Sequence, residues 1–170
     1  MSSDASGSFL APAVGAVVEG ITFYDLAHTA VADVRVKIAF EDLGRRKRSQ
    51  LAQLESLVGG EAKAAAPRPG FFPLEVVSKV ECYVCGYATE TTAMPDHCPT
   101  CGAARYSFEK EISLAKAWEI AATAARKLAA LFRDLAARAS GREKGLLEEL
   151  AREEEELAAE AEKERAELLT

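Results

Sequence analysis

The stretch Lys79–Glu111 reads KVECYVCGYATETTAMPDHCPTCGAARYSFEKE and holds all four cysteines of the 170-residue chain. They have the spacing C-x2-C-x12-C-x2-C, at Cys82, Cys85, Cys98 and Cys101. A tetrahedral iron or zinc ion takes four soft ligands about 2.3 Å away, and each C-x2-C turn presents two thiolates to one point. Gly86 and Gly102, one after each pair, permit that turn. The spacing therefore predicts one metal ion held by four thiolates.

Two disulfides or four unrelated thiols are the alternative interpretations of these cysteines. The chain lacks a signal-peptide pattern and has no run of about 18 uninterrupted apolar residues, so we expect a soluble cytoplasmic protein with no membrane partner. Disulfides are rare in the cytoplasm, and paired C-x2-C motifs argue against unrelated thiols. The choice between iron and zinc stays open, because four sulfur ligands suit both metals.

Amphipathic helical patterns flank the cysteine block on its N-terminal side. The first predicted helix begins near Pro12 and ends around Ala30. Residues 33–58 alternate at first as a strand would, but a spacing of four and three continues from Val36 to Leu57, far beyond the length of a strand. We therefore predict a second helix with Asp33 as its N-cap, stopped by Gly59 and Gly60.

Two more helical patterns follow the cysteine block. The third helix begins at Leu114 and is broken at Ser140 and Gly141, and the fourth extends to the C-terminus. Four amphipathic helices predict a bundle, in which the long second connection crosses over. The predicted organisation is a disordered lead-in at 1–8, bundle helices at 9–60, a linker at 61–78, a metal module at 79–110 and bundle helices at 111–170.

The net charge of −6 is distributed unevenly along the chain. Residues 143–170 contain eleven acidic against four basic residues, whereas residues 45–48 form a basic run. So acidic a chain is not expected to bind nucleic acid. A phosphate-binding patch is the alternative interpretation of the basic run. We predict instead that the basic side chains pair with acidic residues of the same chain.

The motifs CYVCGY, HCPTCG and YSFE, at residues 82–87, 97–102 and 106–109, resemble the short rubredoxin domain of rubrerythrins. The resemblance extends to the helices, which are similar to a ferritin-like four-helix bundle. It implies a mainly α fold with a small rubredoxin-like β module in the crossover, and iron as the native metal. The order differs, because the rubredoxin part usually follows the bundle in that family.

The resemblance also implies a di-iron site inside the bundle, with carboxylate and histidine ligands. In this sequence the matching positions are Lys47 and Gln50 on the second helix, Glu154 and Leu157 on the fourth, Ala125 on the third, and Ala16 or Val17 on the first. One carboxylate cannot hold two irons. We predict instead a buried ion pair between Lys47 and Glu154 with Gln50 hydrogen-bonded nearby, the alternative being that Lys47 extends to solvent.

The sequence leaves three functions open for this protein. The first is one-electron transfer by a single Fe(Cys)4 centre, with Tyr83, Tyr87 and Phe108 shielding it and the bundle serving as a dimerisation scaffold. The second is a structural or protein-interaction scaffold, in which a zinc ion stabilises the cysteine module. The third, a rubrerythrin-type peroxidase, is disfavoured by the missing ligands.

No other catalytic pattern is apparent in the sequence. Ser, His and Asp residues form no triad pattern, and His28 and His97 are interpreted as solvated side chains. No catalytic residues are therefore assigned, and an electron carrier is favoured over an enzyme. A homodimer is expected from the family, whereas the redox partner is not indicated.

Overall fold

The computed structural model describes the backbone of residues 2–58 and 66–170, with side chains described from Phe9 onward. Within these ranges the chain is mainly α-helical. The elements in order are α1 (Ser2–Ala30), α2 (Val34–Val58), β1 (Lys79–Cys82), β2 (Ala88–Glu90), a short 3-10 helix (Arg105–Ser107), β3 (Phe108–Glu111), α3 (Leu114–Arg138) and α4 (Gly141–Leu169). The predicted fold class, four helices with a β module between the second and third, is confirmed.

The four helices pack as two hairpins, α1 with α2 and α3 with α4, around one apolar core. The inward face of α3 is rich in alanine, which lets neighbouring helices approach closely, with Leu128 and Phe132 filling the centre. The predicted periodic face of α2 is buried from Val36 to Leu54, with a spacing of three or four residues. The predicted end of α1 at Ala30 and the break before Gly141 are both confirmed.

Side chains at the starts of α2 and α3 satisfy backbone donors, and the first of these caps was predicted from the sequence. A carboxylate oxygen of Asp33 accepts a hydrogen bond from the backbone N–H of Arg35 at 2.9 Å, which confirms Asp33 as the N-cap of α2. The Ser113 hydroxyl accepts from the N–H of Lys116 at 3.1 Å in the same way at α3. The proposed glycine stop at residues 59 and 60 lies outside the described residues.

The start of α1 differs from the prediction. The helix begins at Ser2 rather than near Pro12, so the predicted disordered lead-in at residues 1–8 is helical from Ser2 onward. Directly before Pro12 the helix is packed, since Leu10 is fully buried and the Phe9 ring lies 5.8 Å from the guanidinium of Arg138. That packing outweighs the loss of one backbone hydrogen bond at proline.

The segment Phe9–Ala30 of α1 is long and apolar enough to cross a membrane, with a mean hydropathy of 1.4. Half of the most apolar 18-residue window of this segment is buried inside the protein. Length and composition are the whole basis of that finding, and the core helix of a soluble protein satisfies the same criteria.

The chain returns from α2 to the module along a segment that lies directly on α1. Gly15 and Gly20 create the room: a Cβ at Gly15 would overlap the carbonyl oxygen of Pro67, and one at Gly20 would touch the Phe72 ring. The Glu19 carboxylate between them accepts hydrogen bonds from the backbone N–H groups of Gly70 and Phe72, both at 2.8 Å. This contact fixes the crossover against the bundle.

The module is a three-stranded antiparallel sheet with the order β2-β1-β3. Its last strand ties it to the bundle, because the Glu111 carboxylate accepts from the N–H of Ala32 in the α1–α2 turn at 3.2 Å. Ser78 adds a second link, accepting from the N–H of Ser113 at 2.8 Å and donating to the carbonyl of Glu111 at 3.1 Å. The sheet therefore sits at the end of the bundle where α1 meets α2 and α3 begins.

The basic run pairs within the chain, as predicted. Arg46 contacts Glu160 of the acidic α4 at 3.0 Å, and Arg48 contacts Asp25 of α1. These exposed pairs contribute at most about 1 kcal/mol each, so they orient helices more than they stabilise them.

Candidate metal centre

The first cysteine pair lies in a tight turn directly after β1. Gly86 has a φ of +79°, in the left-handed region that favours glycine. Its N–H donates to the carbonyl of Cys82 at 2.8 Å, and the N–H of Cys82 donates to the carbonyl of Tyr87 at 2.7 Å. These bonds hold the two sulfurs of the turn on one side of the backbone.

The second cysteine pair repeats this turn in an irregular loop. Gly102 has a φ of +75° and donates to the carbonyl of Cys98 at 2.9 Å. The N–H of Cys98 donates to the carbonyl of Ala103 at 2.8 Å. Two turns of equal construction therefore face each other, each offering two sulfurs, and the role predicted for the two glycines is confirmed.

The four sulfur atoms lie within 4.8 Å of one another, and all four cysteines are free thiols. The distance from Cys82 to Cys101 is 3.8 Å, and that from Cys85 to Cys98 is 3.6 Å. A tetrahedron with metal–sulfur bonds of about 2.3 Å has edges of about 3.8 Å, so the donor set fits a single metal ion. The disulfide alternative is wrong, since neither pair is bonded.

Hydrogen bonds give the sulfurs unequal acidity. Burial raises the pKa of Cys82, but the N–H of Cys85, the hydroxyl of Ser107 and the N–H of Val84 lower it to about 6. The N–H of Tyr87 lowers the pKa of Cys85, yet desolvation and the neighbouring cysteine sulfurs raise it to about 12. The four thiols cannot all ionise together at neutral pH unless a cation neutralises them, which is what a bound metal would do.

The centre has a buried side and an exposed side. Cys82 and Cys98 are buried, whereas Cys85 and Cys101 reach the surface. Phe108 is buried against Cys82 and Cys98, and Tyr87 packs against this cluster, so the predicted packing of these two rings beside the centre is confirmed. Tyr83 is exposed, which corrects the prediction for that residue, because its position in the turn directs it outward.

The bundle interior contains the predicted ion pair. Lys47 and Glu154 are 1% and 0% exposed, and the lysine ammonium contacts a carboxylate oxygen of Glu154. Gln50 completes the group: its carbonyl oxygen accepts from Lys47 at 3.1 Å, and its amide donates to the same Glu154 oxygen at 2.7 Å. The alternative in which Lys47 extends to solvent is wrong.

The other positions implied for a di-iron site also point inward, but none carries a ligand. They are all buried: Ala16, Val17, Ala125 and Leu157. Glu19, one turn away on α1, is used by the crossover backbone. Among the described residues of the bundle, those at the family's ligand positions therefore do not fit a di-iron site, and the Lys47 ammonium supplies positive charge beside Glu154 instead.

The two histidines lie in separate parts of the fold, one in the bundle and one next to Cys98. His28 lies in the last turn of α1 and is half-buried, so it is less solvated than predicted. His97 is exposed and bridges to Ala104 beside the second turn.

Two residues that lie beside these groups in the structure were not predicted from the sequence. Ser107 is buried beside Cys82, and Tyr24 is buried near Glu154. A serine inside a short irregular segment gives no periodic signal, so position relative to the cysteines was the one available clue.

Comparison with known proteins agrees with the module. Residues 81–109 match the family model of the rubredoxin-like domain of rubrerythrin. No curated protein and no solved structure matches the chain significantly. The match covers the module alone, so the bundle is described by its own geometry.

Proposed function

We propose that this protein binds one iron ion at Cys82, Cys85, Cys98 and Cys101 and transfers single electrons. The observation that carries the proposal is the set of four sulfurs with edges of 3.6 and 3.8 Å within a rubredoxin-like domain. An iron ion bound there supplies a one-electron couple between its ferric and ferrous states. Four sulfur ligands leave no position open for substrate, which favours electron transfer over catalysis at the metal.

The chain's own residues support this use in two ways. The turns hold the sulfurs at nearly fixed separation, so little reorganisation would accompany a change of charge. The exposed sulfurs of Cys85 and Cys101 lie in the same module as the exposed rings of Tyr83 and Tyr106, the latter 83% exposed. An electron would enter or leave through this side, while Cys82 and Cys98 face the protein interior.

The bundle argues against peroxidase chemistry in its own interior. Its one inward carboxylate, among the described residues that match the family positions, is already bound by Lys47 and Gln50. The bundle would then serve as scaffold, and homodimerisation through its helices is part of the proposal.

The deciding experiment is metal analysis and an absorption spectrum of the full chain, purified without added metal. We expect one iron per chain and thiolate-to-iron bands that bleach on reduction. One zinc per chain and a colourless solution would replace electron transfer with the structural alternative, whereas three irons would show that the bundle does hold metal.

Two variants make the assignment specific. Replacing Cys85 and Cys101 with alanine should remove the metal and the colour together. The matched control, Glu155→Gln in the bundle, should keep one iron per chain, because that carboxylate is half exposed on α4 and pairs with Arg133 rather than with the module.

A further inference from the structure

The two cysteine turns match bond for bond on their backbones, but one side-chain contact breaks the symmetry. The hydroxyl oxygen of Ser107 lies 3.7 Å from the sulfur of Cys82. Cys98, the equivalent residue of the second turn, has no side-chain hydroxyl contact of this kind among the described residues. One of the two buried sulfurs therefore has an additional polar neighbour.

We propose that the Ser107 hydroxyl donates a hydrogen bond to the metal-bound thiolate of Cys82 and thereby raises the reduction potential of the centre. Ser107 is a positioning and tuning residue in this proposal, since it touches a ligand and not the metal. The inference rests on the proposed function for the redox couple, although the hydrogen bond itself requires only a thiolate at Cys82.

Two facts determine which atom donates this hydrogen bond: the hydroxyl is buried with one polar neighbour, and a metal-bound thiolate carries no proton. Ser107 is 2% exposed, and within the described part of the chain its hydroxyl has no polar contact besides the Cys82 sulfur. A buried hydroxyl that lacks a partner costs free energy, so it should use the one acceptor it has. A metal-bound thiolate has no proton, which makes the sulfur the acceptor and the serine the donor.

The backbone fixes Ser107 at this place. Its N–H donates to the carbonyl of Ala104 at 2.9 Å, closing the short 3-10 helix, and its carbonyl accepts from the N–H of Tyr83 at 3.0 Å. The second bond ties Ser107 to the first cysteine turn directly. The hydroxyl therefore stays beside Cys82 unless the turn itself opens.

The direction of the effect follows from charge. Adding an electron makes the four-thiolate centre more negative, and a hydrogen bond to sulfur stabilises negative charge more strongly when there is more of it. The hydroxyl thus favours the reduced state. Removing it should lower the reduction potential and move the thiolate-to-iron bands to longer wavelength, because the sulfur becomes a better electron donor.

The test compares variants of the full chain, each loaded with iron by reconstitution. Ser107→Ala should lower the equilibrium constant for reduction about tenfold, which is about 59 mV for a one-electron couple. Ser107→Thr retains a hydroxyl and should stay close to the wild-type potential. Ser78→Ala is the matched control, because that hydroxyl bonds to the backbone of Glu111 and Ser113 rather than to sulfur.

A second pair of variants guards against a loss of folding. Ser107→Thr and Ser107→Val have nearly the same shape and differ in the hydroxyl, so their potentials should differ in the direction stated. Equal potentials and equal spectra in this pair, or in wild type and Ser107→Ala, would overturn the proposal. A protein that contains zinc as purified would refute the electron-transfer function, while the iron-loaded comparison would still decide the role of Ser107.

Discussion

Burying an ion pair costs solvation free energy, which the attraction within the pair and hydrogen bonds from neighbouring groups must offset. Lys47 and Glu154 form such a pair in the bundle core. One carboxylate oxygen accepts from both Lys47 and Gln50, whereas the other has no hydrogen-bond partner in the described part of the chain. The pair is therefore only partly satisfied. Each charge is compensated by the other, because neither side chain is in contact with solvent.

Removing one charge of this pair should destabilise the protein strongly. We expect Lys47→Met to lower the free energy of unfolding by about 3–5 kcal/mol, because it leaves Glu154 buried without compensation. Glu154→Leu should have a similar effect through Lys47. Urea denaturation followed by far-UV circular dichroism measures both.

The triple variant Lys47→Met, Gln50→Leu and Glu154→Leu is the control for this prediction. Replacing the whole polar group with apolar side chains should restore most of the lost stability, since no polar atom of the trio remains unpaired. If each single variant changed stability by less than about 1 kcal/mol, the pair would not be buried as described.

Tyr24 gives the same region a dependence on alkaline pH. Burial and the negative charge of Glu154 raise the pKa of Tyr24 well above its usual value, with Arg46 opposing them. A raised folded pKa means that the contribution to stability is complete below about pH 10, the pKa of an unfolded tyrosine, and is lost as the pH rises further. Above about pH 10, wild type should therefore lose more stability than Tyr24→Phe, measured as urea unfolding against pH. Parallel curves for the two proteins would contradict this assignment.

At the scale of the elements, the crossover and α1 depend on each other. The crossover has no regular hydrogen bonding of its own from Ala66 to Val77, so Glu19 supplies acceptors for two of its N–H groups. Gly15 allows the approach that brings the segment within reach. A helix that would otherwise lose stability from an internal glycine gains a packed neighbour instead.

Gly15→Ala should destabilise the protein by about 1–3 kcal/mol, because the added methyl group displaces the crossover at Pro67. Gly145→Ala is the matched control: it also lies in a helix, and a Cβ there meets nothing within 4 Å. That change should stabilise the protein by about 0.5–1 kcal/mol through helix propensity. Thermal unfolding of the two variants should therefore shift in opposite directions, and a common direction would refute the contact.

The elements also show which parts of the fold can be predicted from the sequence. Period and cysteine spacing predict α2, α3, α4 and the metal module, since each is a local pattern with a strong physical requirement. The start of α1 was predicted ten residues late, because Pro12 is a local start signal although proline is also tolerated inside this helix. The bonds of Glu19 and Ser107 join segments far apart in the chain or depend on irregular backbone, and no local pattern encodes them.

At the scale of the whole molecule, two cores of very different size share one chain. The bundle core extends over all four helices, whereas the module core consists of Val77, Val80, Cys82, Cys98 and Phe108. A core that small supplies little hydrophobic stabilisation, so the module should depend on its metal. The bundle should not, because its large apolar core packs without a metal and Lys47 supplies the positive charge beside Glu154.

Metal removal should therefore loosen the module and leave the bundle folded. Chelation at mildly acidic pH, where protonation of the cysteines opposes metal binding, should abolish amide hydrogen-exchange protection in β1 and β3. The helical circular dichroism should stay nearly constant, since the helices lie outside the module. Replacing Cys85 and Cys101 with serine should reproduce the same pattern without a chelator. Loss of helix in step with loss of metal would mean that the link from Glu111 to Ala32 makes the two cores one cooperative unit.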